Sequence, residues 1–453
     1  MEPLRGDEAV ARAVEGQLVS RSVRVPPPPV RAVHRLADPP AVLWSEPDGP
    51  TVVGSGAAAT LVADGADRFE RVRAACEALF EAGDVDASAE VARPRVFGGF
   101  AFHDDHAPAP PWDGFPGAQF VLPSFQVAWT GADAWLTVTA TGADATADAV
   151  ESRLAALRDH LDALPGAGPV GPPPGIAGRE RTTPREAWRE AVTAAVGRID
   201  SGALRKVVLA QALRADLAAD LSVPDLLARL GETYPGCYRF AVQPREGAPS
   251  FVGATPERLV SLRGRTVETG ALAGTTGRGE TPAEDEWLAR ELMADEKNRH
   301  EHELVAETVR DQLRPLAASV STGERRVRRL ATVQHLETPI TAELGADEHV
   351  LSLVEALHPT PAVGGLPPDR ALATIRETEP FDRGWYAAPV GWIDAAGDGT
   401  FAVAIRSAVS SARTATLFAG VGIVADSDPD REWDEVQLKY RPILDALGSD
   451  RGD

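Results

Sequence analysis

Three charged residues near the C-terminus have the spacing of neighbours on one face of a helix. Glu432, Glu435 and Lys439 occupy positions i, i+3 and i+7, and such residues project from the same side of a helix. A helix is predicted to begin after Asp428, whose side chain can cap it, because apolar residues recur beside the charged ones at helical intervals. The spacing allows two interpretations: an exposed face with a Glu435–Lys439 ion pair, or carboxylates that bind a cation.

A further acidic residue, Glu301, lies in the segment DEKNRHEHELV (295–305), whose apolar residues also have helical spacing. Carboxylates from two elements would suit a hard cation such as Mg²⁺, which takes oxygen ligands and completes its shell with water and substrate oxygens. His300 and His302 are two residues apart and cannot share a helix face, so a histidine zinc site is not indicated. A solvated helix face is the alternative explanation for Glu301.

The chain has 46 basic residues, of which only Lys206, Lys297 and Lys439 are lysines. Arginine stays protonated in proteins, whereas a buried ammonium can lose its proton. Lys206 begins the β-branched segment KVVLAQ, so it is either a general base held in a buried strand or a strand-end residue that points to water. Glu257, in FVGATPERLV, is either a carboxyl that stays protonated in a dry cleft and acts as an acid, or a turn residue paired with Arg258.

Composition indicates a globular protein whose partner is neither nucleic acid nor a membrane. The 453 residues are 43% hydrophobic and 25% charged, and the formal net charge of −21 argues against anionic polymers and anionic membranes as partners. No run approaches the roughly 18 apolar residues of a transmembrane helix, and the N-terminal segment lacks the apolar centre of a signal peptide. Only Cys76 and Cys237 occur, which supports neither a disulfide framework nor a cysteine metal site. A cytoplasmic location is expected.

Proline and glycine runs divide the chain. The run PGAGPVGPPPG predicts a linker over 165–183, between an N-terminal half (1–164) and a catalytic half (184–447). Helices are predicted over 67–82, 146–163, 184–199, 282–313 and 429–447. Strand-like segments follow one another as in hairpins, which favours an α+β fold with large antiparallel sheets packed together and helices on the outside. Neither a dinucleotide-binding glycine motif after a strand nor a Walker A motif is present.

Ten short segments, taken together, resemble the chorismate-utilising enzymes, a family that includes isochorismate, salicylate, anthranilate and aminodeoxychorismate synthases. They occur in the family's order, and they are KVVLAQ (206–211), FVGATPERLV (251–260), ETGALAGT (268–275), KNRHEH (297–302), VQHL (333–336), LHPTPAVGG (357–365), PVGW (389–392), AIR (404–406), GVGI (420–423) and REWDEVQLK (431–439). The resemblance covers about 200–445. More weakly, LWSEPDG (43–49), FGGFAF (97–102) and FVLP (120–123) resemble isochorismate synthases in particular. The fold implied is the chorismate-binding fold, with two intertwined subdomains.

The resemblance implies a role for each matching residue. Lys206 matches the general base that activates water for attack at C2 of chorismate, and Glu257 matches the general acid that protonates the departing C4 hydroxyl. Glu301 and Glu435 match the Mg²⁺ ligands, with Glu432 as a further acidic or water-mediated partner.

The same resemblance implies the contacts to the substrate. Arg406 and Tyr386 resemble the residues that grip the enolpyruvyl carboxylate. The groups expected around the ring carboxylate and its metal ion are Lys439 and the backbone near Gly274, Thr275, Gly420 and Gly422. Because chorismate is a dianion, Mg²⁺, Arg406 and Lys439 would supply the positive charge that the overall composition lacks.

Two positions favour isochorismate as the product. Ala362 stands where ammonia-using and salicylate-forming relatives typically have threonine, and Ala271 stands where many relatives have proline. Both resemble isochorismate synthases, in which water is the nucleophile. Two residues depart from the family pattern: Gln211 replaces an arginine often found after KVVLA, and Asn298 replaces an acidic residue common in the metal motif. The second departure reduces the negative charge expected around the metal ion.

The resemblance therefore implies an enzyme that isomerises chorismate to isochorismate with Mg²⁺ and without a redox cofactor, for menaquinone or siderophore biosynthesis. Chorismate is the expected small-molecule partner, and a monomer is expected because relatives are often monomers. A salicylate synthase, which would go on to eliminate pyruvate, and a non-catalytic chorismate-binding protein are the alternatives. An anthranilate or aminodeoxychorismate synthase would form its product only with ammonia.

Overall fold

The computed structural model describes residues 17–81, 83–142 and 145–448. The segment in which the sequence predicts no signal peptide, 1–16, lies outside these residues. Ten α-helices occur in the described part of the chain: α1 Val30–Arg35, α2 Arg68–Phe80, α3 Ala147–Asp162, α4 Arg185–Asp200, α5 Val223–Thr233, α6 Pro282–Ala294, α7 Glu296–Leu313, α8 Val350–Leu357, α9 Pro368–Thr378 and α10 Pro429–Leu447.

The strands belong to two large sheets. They are β1 Val19–Val25, β2 Ala41–Ser45, β3 Thr51–Ser55, β4 Ala59–Ala63, β5 Asp84–Asp86, β6 Arg95–Phe100, β7 Ala118–Leu122, β8 Phe125–Thr130, β9 Asp133–Ala140, β10 Ile176–Arg181, β11 Lys206–Leu217, β12 Tyr238–Gln243, β13 Ser250–Thr255, β14 Arg258–Arg263, β15 Thr266–Gly277, β16 Ala317–Thr322, β17 Arg326–Arg329, β18 Val333–Leu344, β19 Gly365–Leu366, β20 Pro389–Asp394, β21 Gly399–Val403, β22 Ser407–Ser410 and β23 Thr414–Ile423.

Both sheets are built from antiparallel neighbours. The first has 13 strands in the order β10-β11-β23-β22-β13-β12-β2-β3-β8-β9-β1-β5, with β19 beside β11. The second has 10 strands in the order β16-β18-β15-β14-β21-β20-β6-β7-β4, with β17 beside β18. Among the strands described, β1 and β5 alone run parallel. Apolar residues of both sheets form one continuous core. This architecture confirms the predicted α+β fold with large antiparallel sheets.

Strands from both ends of the chain contribute to each sheet. In the first sheet β2 pairs with β12, and in the second β6 pairs with β20. Backbone hydrogen bonds therefore cross between the predicted halves, and the catalytic half does not form either sheet alone. Part of the predicted linker, Ile176–Arg181, is strand β10 and pairs with β11 at the edge of the first sheet. The division at 164 and 184 stays a prediction.

The helix predicted over 282–313 is two helices that meet at Asp295. This residue has an extended backbone (φ −63°, ψ 121°), and its carboxylate accepts a hydrogen bond from the Asn298 N–H at 2.7 Å. Aspartate is a favoured capping residue, so the local side chain ends α6 and starts α7 although the apolar periodicity continues. The helix predicted to begin at residue 184 begins one residue later, at Arg185, because Pro184 lies at its cap position.

The predicted cap of the last helix is present. Asp428 caps α10 by accepting hydrogen bonds from the Asp430 and Arg431 N–H groups, and Pro429 is in the first turn. Helices α7 and α10 pack on β15 and β23, respectively. The two cysteines, Cys76 and Cys237, are buried and free.

Across the part of the chain that the structure describes, none of the helices combines the length and the apolar character needed to cross a membrane.

The cap of α10 can be tested by substitution. Asp428→Ala removes the acceptor of two otherwise unpaired N–H groups, and we expect the free energy of unfolding to fall by about 1 kcal/mol in a urea titration. Asp428→Asn is the matched control, because asparagine caps about as well as aspartate. Equal stability of the alanine variant and the wild type would show that the cap does not hold this helix.

Candidate active site

A cavity is enclosed by residues of both sheets, from β11 and β23 in the first and from β15 and β18 in the second, together with α7 and α10. Eleven of the thirteen predicted site residues line it, so positions far apart in sequence meet in one place. They are Glu257, Gly274, Thr275, Glu301, Ala362, Tyr386, Arg406, Gly420, Gly422, Glu435 and Lys439. The other two predicted residues, Lys206 and Glu432, are not part of the wall.

Lys206 lies directly behind the cavity wall. It is the first residue of β11 and only 1% exposed, and its Nζ is 2.8 Å from Glu301 Oε1. Alternate residues of a strand share a face, and Val208, two positions along β11, lines the cavity. Lys206 is therefore not a strand-end residue that points to water, because its ammonium is buried against a carboxylate of the cavity wall.

Glycines opposite β11 make room for these side chains. On β23, Gly422 pairs with Val208 and Gly420 pairs with Ala210. A Cβ on Gly422 would lie 2.5 Å from Glu301 Oε1 and 2.7 Å from Lys206 Cε. The alternation in GVGI thus keeps the cavity face of β23 free of side chains.

Each lysine of the chain pairs with one of the three carboxylates that the sequence assigns to the metal. Besides the Lys206–Glu301 pair, Lys439 Nζ lies 2.7 Å from Glu435 Oε1, and Lys297 Nζ lies 3.0 Å from Glu432 Oε1. Lys439 also donates to the carbonyl of Gly420 at 2.9 Å. These lysine–carboxylate pairs join α7 and α10 to each other and to the sheet.

The Glu435–Lys439 pair has the i, i+4 spacing expected from the sequence, yet it is not a solvated surface pair. Both residues line the cavity, and the side chain of Lys439 is 11% exposed. Burial alone would raise the pKa of Glu301, but the charges of Lys206, Lys439 and Lys297 outweigh burial and the net shift is downward. Burial outweighs the opposing charge of Lys297 at Glu432, whose pKa is raised.

Glu257 differs from Glu301, whose pKa is lowered. Burial raises the pKa of Glu257 to about 7, against the opposing charges of Lys206, Arg406 and Lys439. Arg258 does not pair with it, because the Arg258 guanidinium binds Glu268 at 2.7 Å. Glu257 can therefore hold a proton near neutral pH in the same cavity as the cationic side chains.

Arg406 directs unpaired positive charge into the cavity. It is 7% exposed, and its guanidinium has no hydrogen-bond or ion-pair partner among the residues that the structure describes. Its backbone is in the left-handed region (φ 53°), as is that of Ala387 (φ 61°), another residue of the wall. Non-glycine residues seldom adopt this conformation, and where they do it is often at functional sites. A buried cation with free donors is a binding site for an anion.

Tyr386 is held beside Arg406 by aromatic stacking. Its ring lies 5.3 Å from that of Phe418, which in turn stacks on Trp112 at 5.4 Å. Burial raises the pKa of Tyr386 to about 12, so its hydroxyl remains a neutral hydrogen-bond donor.

Two wall residues, His335 and Arg383, had no role in the sequence prediction. His335 Nδ1 lies 3.0 Å from Thr275 Oγ1, and its buried Nε2 has no partner among the described residues. Burial and the charges of Arg406 and Lys439 hold the pKa of His335 well below its ordinary value. The sequence could have indicated His335 through its position in VQHL, one of the ten segments that resemble the family. Its position in the sequence does not show that it lies near the other residues of the cavity wall.

A bulge in β15 brings Thr275 to His335. The register between β15 and β18 shifts at Gly274, whose φ of 76° suits glycine. His302, by contrast, is not a site residue, since its ring contacts the Ala273 carbonyl and the Thr338 hydroxyl in the interior.

The donor set of the cavity suits a hard cation. Glu301 and Glu435 both line the wall, and Mg²⁺ is usually held by one or two carboxylates plus water and substrate oxygens. Across residues 17–81, 83–142 and 145–448, no three carboxylate, imidazole or thiol groups converge as a complete metal site. Glu432 is engaged with Lys297 outside the wall, so the structure brings only two of the three predicted ligands into the cavity.

Neither residue that departs from the family pattern adds charge to the cavity. Asn298 donates its side-chain amide to Asp295 Oδ1 at 2.8 Å. Gln211 is completely buried and is not part of the wall, and its amide group has no hydrogen-bond partner among the residues described.

Comparison with known proteins agrees with this geometry. The family model for chorismate binding enzymes matches residues 7–448. The chain belongs to the chorismate-binding enzyme family.

Similar proteins in this family include isochorismate synthases. The chorismate-binding chain is 35% identical to isochorismate synthase MenF of Bacillus subtilis (strain 168), over 90% of this chain and 88% of that protein. It is 37% identical to the salicylate biosynthesis isochorismate synthase of Pseudomonas aeruginosa, over 90% of this chain and 85% of that protein. The solved structure of the menaquinone-specific isochorismate synthase MenF from Escherichia coli superposes with a TM-score of 0.77 at 26% identity, covering 97% of both chains.

The space at Gly422 gives a test of the cavity. A methyl group there would displace the ends of the Lys206 and Glu301 side chains, so we expect Gly422→Ala to lower turnover of chorismate by about tenfold or more. Because these side-chain ends can move, the melting temperature should change little.

The matched control is Gly197→Ala on α4, where an added Cβ would meet no atom within 4 Å. It should keep full activity and gain about 0.5–1 kcal/mol of stability, since alanine favours helices over glycine. Normal turnover in Gly422→Ala would contradict the proposed crowding of Lys206 and Glu301.

Proposed function

We propose that this chorismate-binding enzyme isomerises chorismate to isochorismate, with Lys206 as general base and Glu257 as general acid. The observation that carries the proposal is the presence, at one buried cavity, of a lysine amine and a carboxyl that can stay protonated near neutral pH. The isochorismate synthases among its relatives support the same reaction.

The cavity can bind a dianion. Arg406 provides free donors for one carboxylate, and the Tyr386 hydroxyl lies in the same wall. Lys439 and the backbone of the glycine-rich segments provide a second cationic region for the ring carboxylate. The two regions would fix the ring between Lys206 and Glu257, and such positioning accounts for a large part of catalysis in many enzymes.

The reaction then needs two proton transfers and no oxidant or reductant. In its unprotonated amine form, Lys206 takes a proton from water as the water oxygen bonds to C2. Glu257 gives a proton to the C4 hydroxyl, which leaves as water while the ring double bonds shift. One water is consumed and one is released, so the product is an isomer of the substrate. General acid–base catalysis of this kind contributes typically 10²–10⁴-fold, about the range expected for each residue.

Glu301 and Glu435 are the residues that would hold Mg²⁺. When bound, the ion would act as a Lewis acid that neutralises the ring carboxylate. Glu432 would take part only through water or through its partner Lys297, because its side chain is outside the wall. Ala362, a small apolar residue of the wall, supports water as the nucleophile and isochorismate as the released product.

The pathway and the cellular setting are proposed from the relatives. Their names include menaquinone and salicylate biosynthesis, so we place the product in menaquinone or siderophore biosynthesis. A cytoplasmic monomer is the form we propose.

A product assay tests the reaction directly. Purified protein incubated with chorismate and Mg²⁺ should form isochorismate, and a chelator should stop it. Lys206→Ala should lose at least about 100-fold in turnover because the substitution removes the proposed general base. Salicylate with an equal amount of pyruvate would make the protein a salicylate synthase, and binding of chorismate without any product would make it non-catalytic.

The pKa of Glu257 predicts the pH dependence. The acid must be protonated, so the ratio of wild-type kcat/KM to that of Glu257→Gln should fall about tenfold per pH unit above pH 7, a comparison in which the titration of Lys206 is shared by both proteins. Below pH 7, Glu257→Gln should be about 10²–10⁴-fold slower than the wild type. Arg258→Gln is the matched control, since Arg258 binds Glu268, and it should keep the wild-type profile.

The same pKa affects stability. The folded pKa of Glu257 is raised from 4.5 to about 7, so its contribution is present below pH 4.5 and is lost as pH rises through 7. The wild type should therefore lose stability relative to Glu257→Gln over this window in urea titrations. If the difference in free energy of unfolding between the two proteins does not change with pH, Glu257 is ionised throughout this window.

A further inference from the structure

Strand β11 is paired continuously along one edge but has a gap along the other. Along the continuous edge, β11 pairs with β23 from Val207 to Asp216. On the open edge, β19 covers only Lys206 and Val207, and β10 begins at Leu213. The backbone groups between them are buried and need hydrogen-bond partners.

Side chains fill this gap. The Val208 carbonyl accepts a hydrogen bond from Arg383 Nη2 at 2.9 Å, and the Ala210 N–H donates to Glu379 Oε1 at 2.8 Å. Arg383 and Glu379 are themselves paired through two hydrogen bonds of 2.8 and 2.6 Å. Their side chains are 1% and 3% exposed. The ion pair therefore takes the place of a missing strand next to Lys206.

The Arg383 guanidinium is occupied almost completely by the protein. Its Nη1 donates to the Val363 carbonyl at 2.8 Å, so four of its five N–H groups have protein acceptors. Glu379 neutralises its charge. Arg406, in contrast, has no partner among the described residues, so the two buried arginines of the wall have different roles.

Arg383 connects three parts of the cavity wall. Val208 is two residues from Lys206 on the cavity face of β11, and Val363 follows Ala362. The Arg383 carbonyl accepts a hydrogen bond from the Tyr386 N–H at 2.9 Å. The Arg383–Glu379 ion pair thus connects three elements: the strand that begins with Lys206, the loop that contains Ala362 and the turn that contains Tyr386.

We propose that Arg383 and Glu379 are positioning residues that fix Lys206 relative to the bound substrate. Their kinetic effect rests on the proposed function, whereas their structural effect does not. A misplacement of about 1 Å can cost roughly 10²-fold in rate. Lysine cannot replace the planar fork of arginine, which here reaches four acceptor atoms on three residues at once.

The test compares Arg383→Lys and Glu379→Gln with the wild type. We expect kcat for isochorismate formation to fall about 10–100-fold, while KM changes less than about threefold because Arg406 and Lys439 are untouched. If Arg383→Lys does not fold, Glu379→Gln carries the test, because glutamine keeps the size and the acceptor for Ala210.

The matched control is Asp225→Asn. Asp225 is a buried carboxylate of α5 that binds Arg35 with both oxygens, at 2.7 and 2.8 Å, and it is not part of the cavity wall. It should lose stability without a change in kcat. If the Arg383 and Glu379 variants behave like this control, or if KM rises with kcat unchanged, the positioning role is wrong.

Hydrogen–deuterium exchange separates failure of this proposal from failure of the proposed function. Exchange over 206–212 should become faster in Glu379→Gln and stay unchanged in Asp225→Asn, whatever reaction the enzyme performs. A wild type that forms no isochorismate would reject the function alone. Unchanged exchange in this segment would reject the positioning pair alone.

Discussion

Buried charge must be compensated, and this requirement shapes the whole centre of the protein. Removing an ammonium or a carboxylate from water costs several kcal/mol or more unless it is paired. The chain has three lysines, and each lies against one acidic residue from α7 or α10. The Lys206 pair joins α7 to the first sheet, and the Lys297 pair joins α7 to α10. Arg406 is a buried guanidinium of the wall without a partner among the residues that the structure describes.

The cavity depends on contributions from two sheets that neither end of the chain builds alone. β11 and β23 present alternate residues on one face, and the glycines of β23 leave space for Lys206 and Glu301. The bulge at Gly274 turns β15 so that Thr275 reaches His335. Glycines and a β-bulge at these positions allow close contact between the functional side chains within a tightly packed core.

Two glutamates and two arginines of the cavity show how the environment of a side chain determines its pKa or its free hydrogen-bond donors. Glu257 is buried and Glu301 is half-buried, and both lie near Lys206, yet the pKa of Glu257 is raised and that of Glu301 is lowered. The difference arises because Glu301 contacts the ammonium directly, whereas burial dominates at Glu257. Likewise, Arg383 is neutralised by Glu379 and bound to backbone carbonyls, while Arg406 keeps its donors for a ligand.

The sequence by itself determined the α+β class, the outer ends of the five predicted helical segments to within about two residues, and eleven of the residues that line the cavity. It could do so because periodicity, capping residues and short ordered segments are local signals. Asp295 breaks one predicted helix in two through a local cap, although the apolar periodicity continues across it. Only the tertiary structure decided that Glu432 lies outside the wall and that His335 and Arg383 belong to the site. The physical reason is that burial and pairing of charges depend on neighbours contributed by distant strands, which no local pattern encodes.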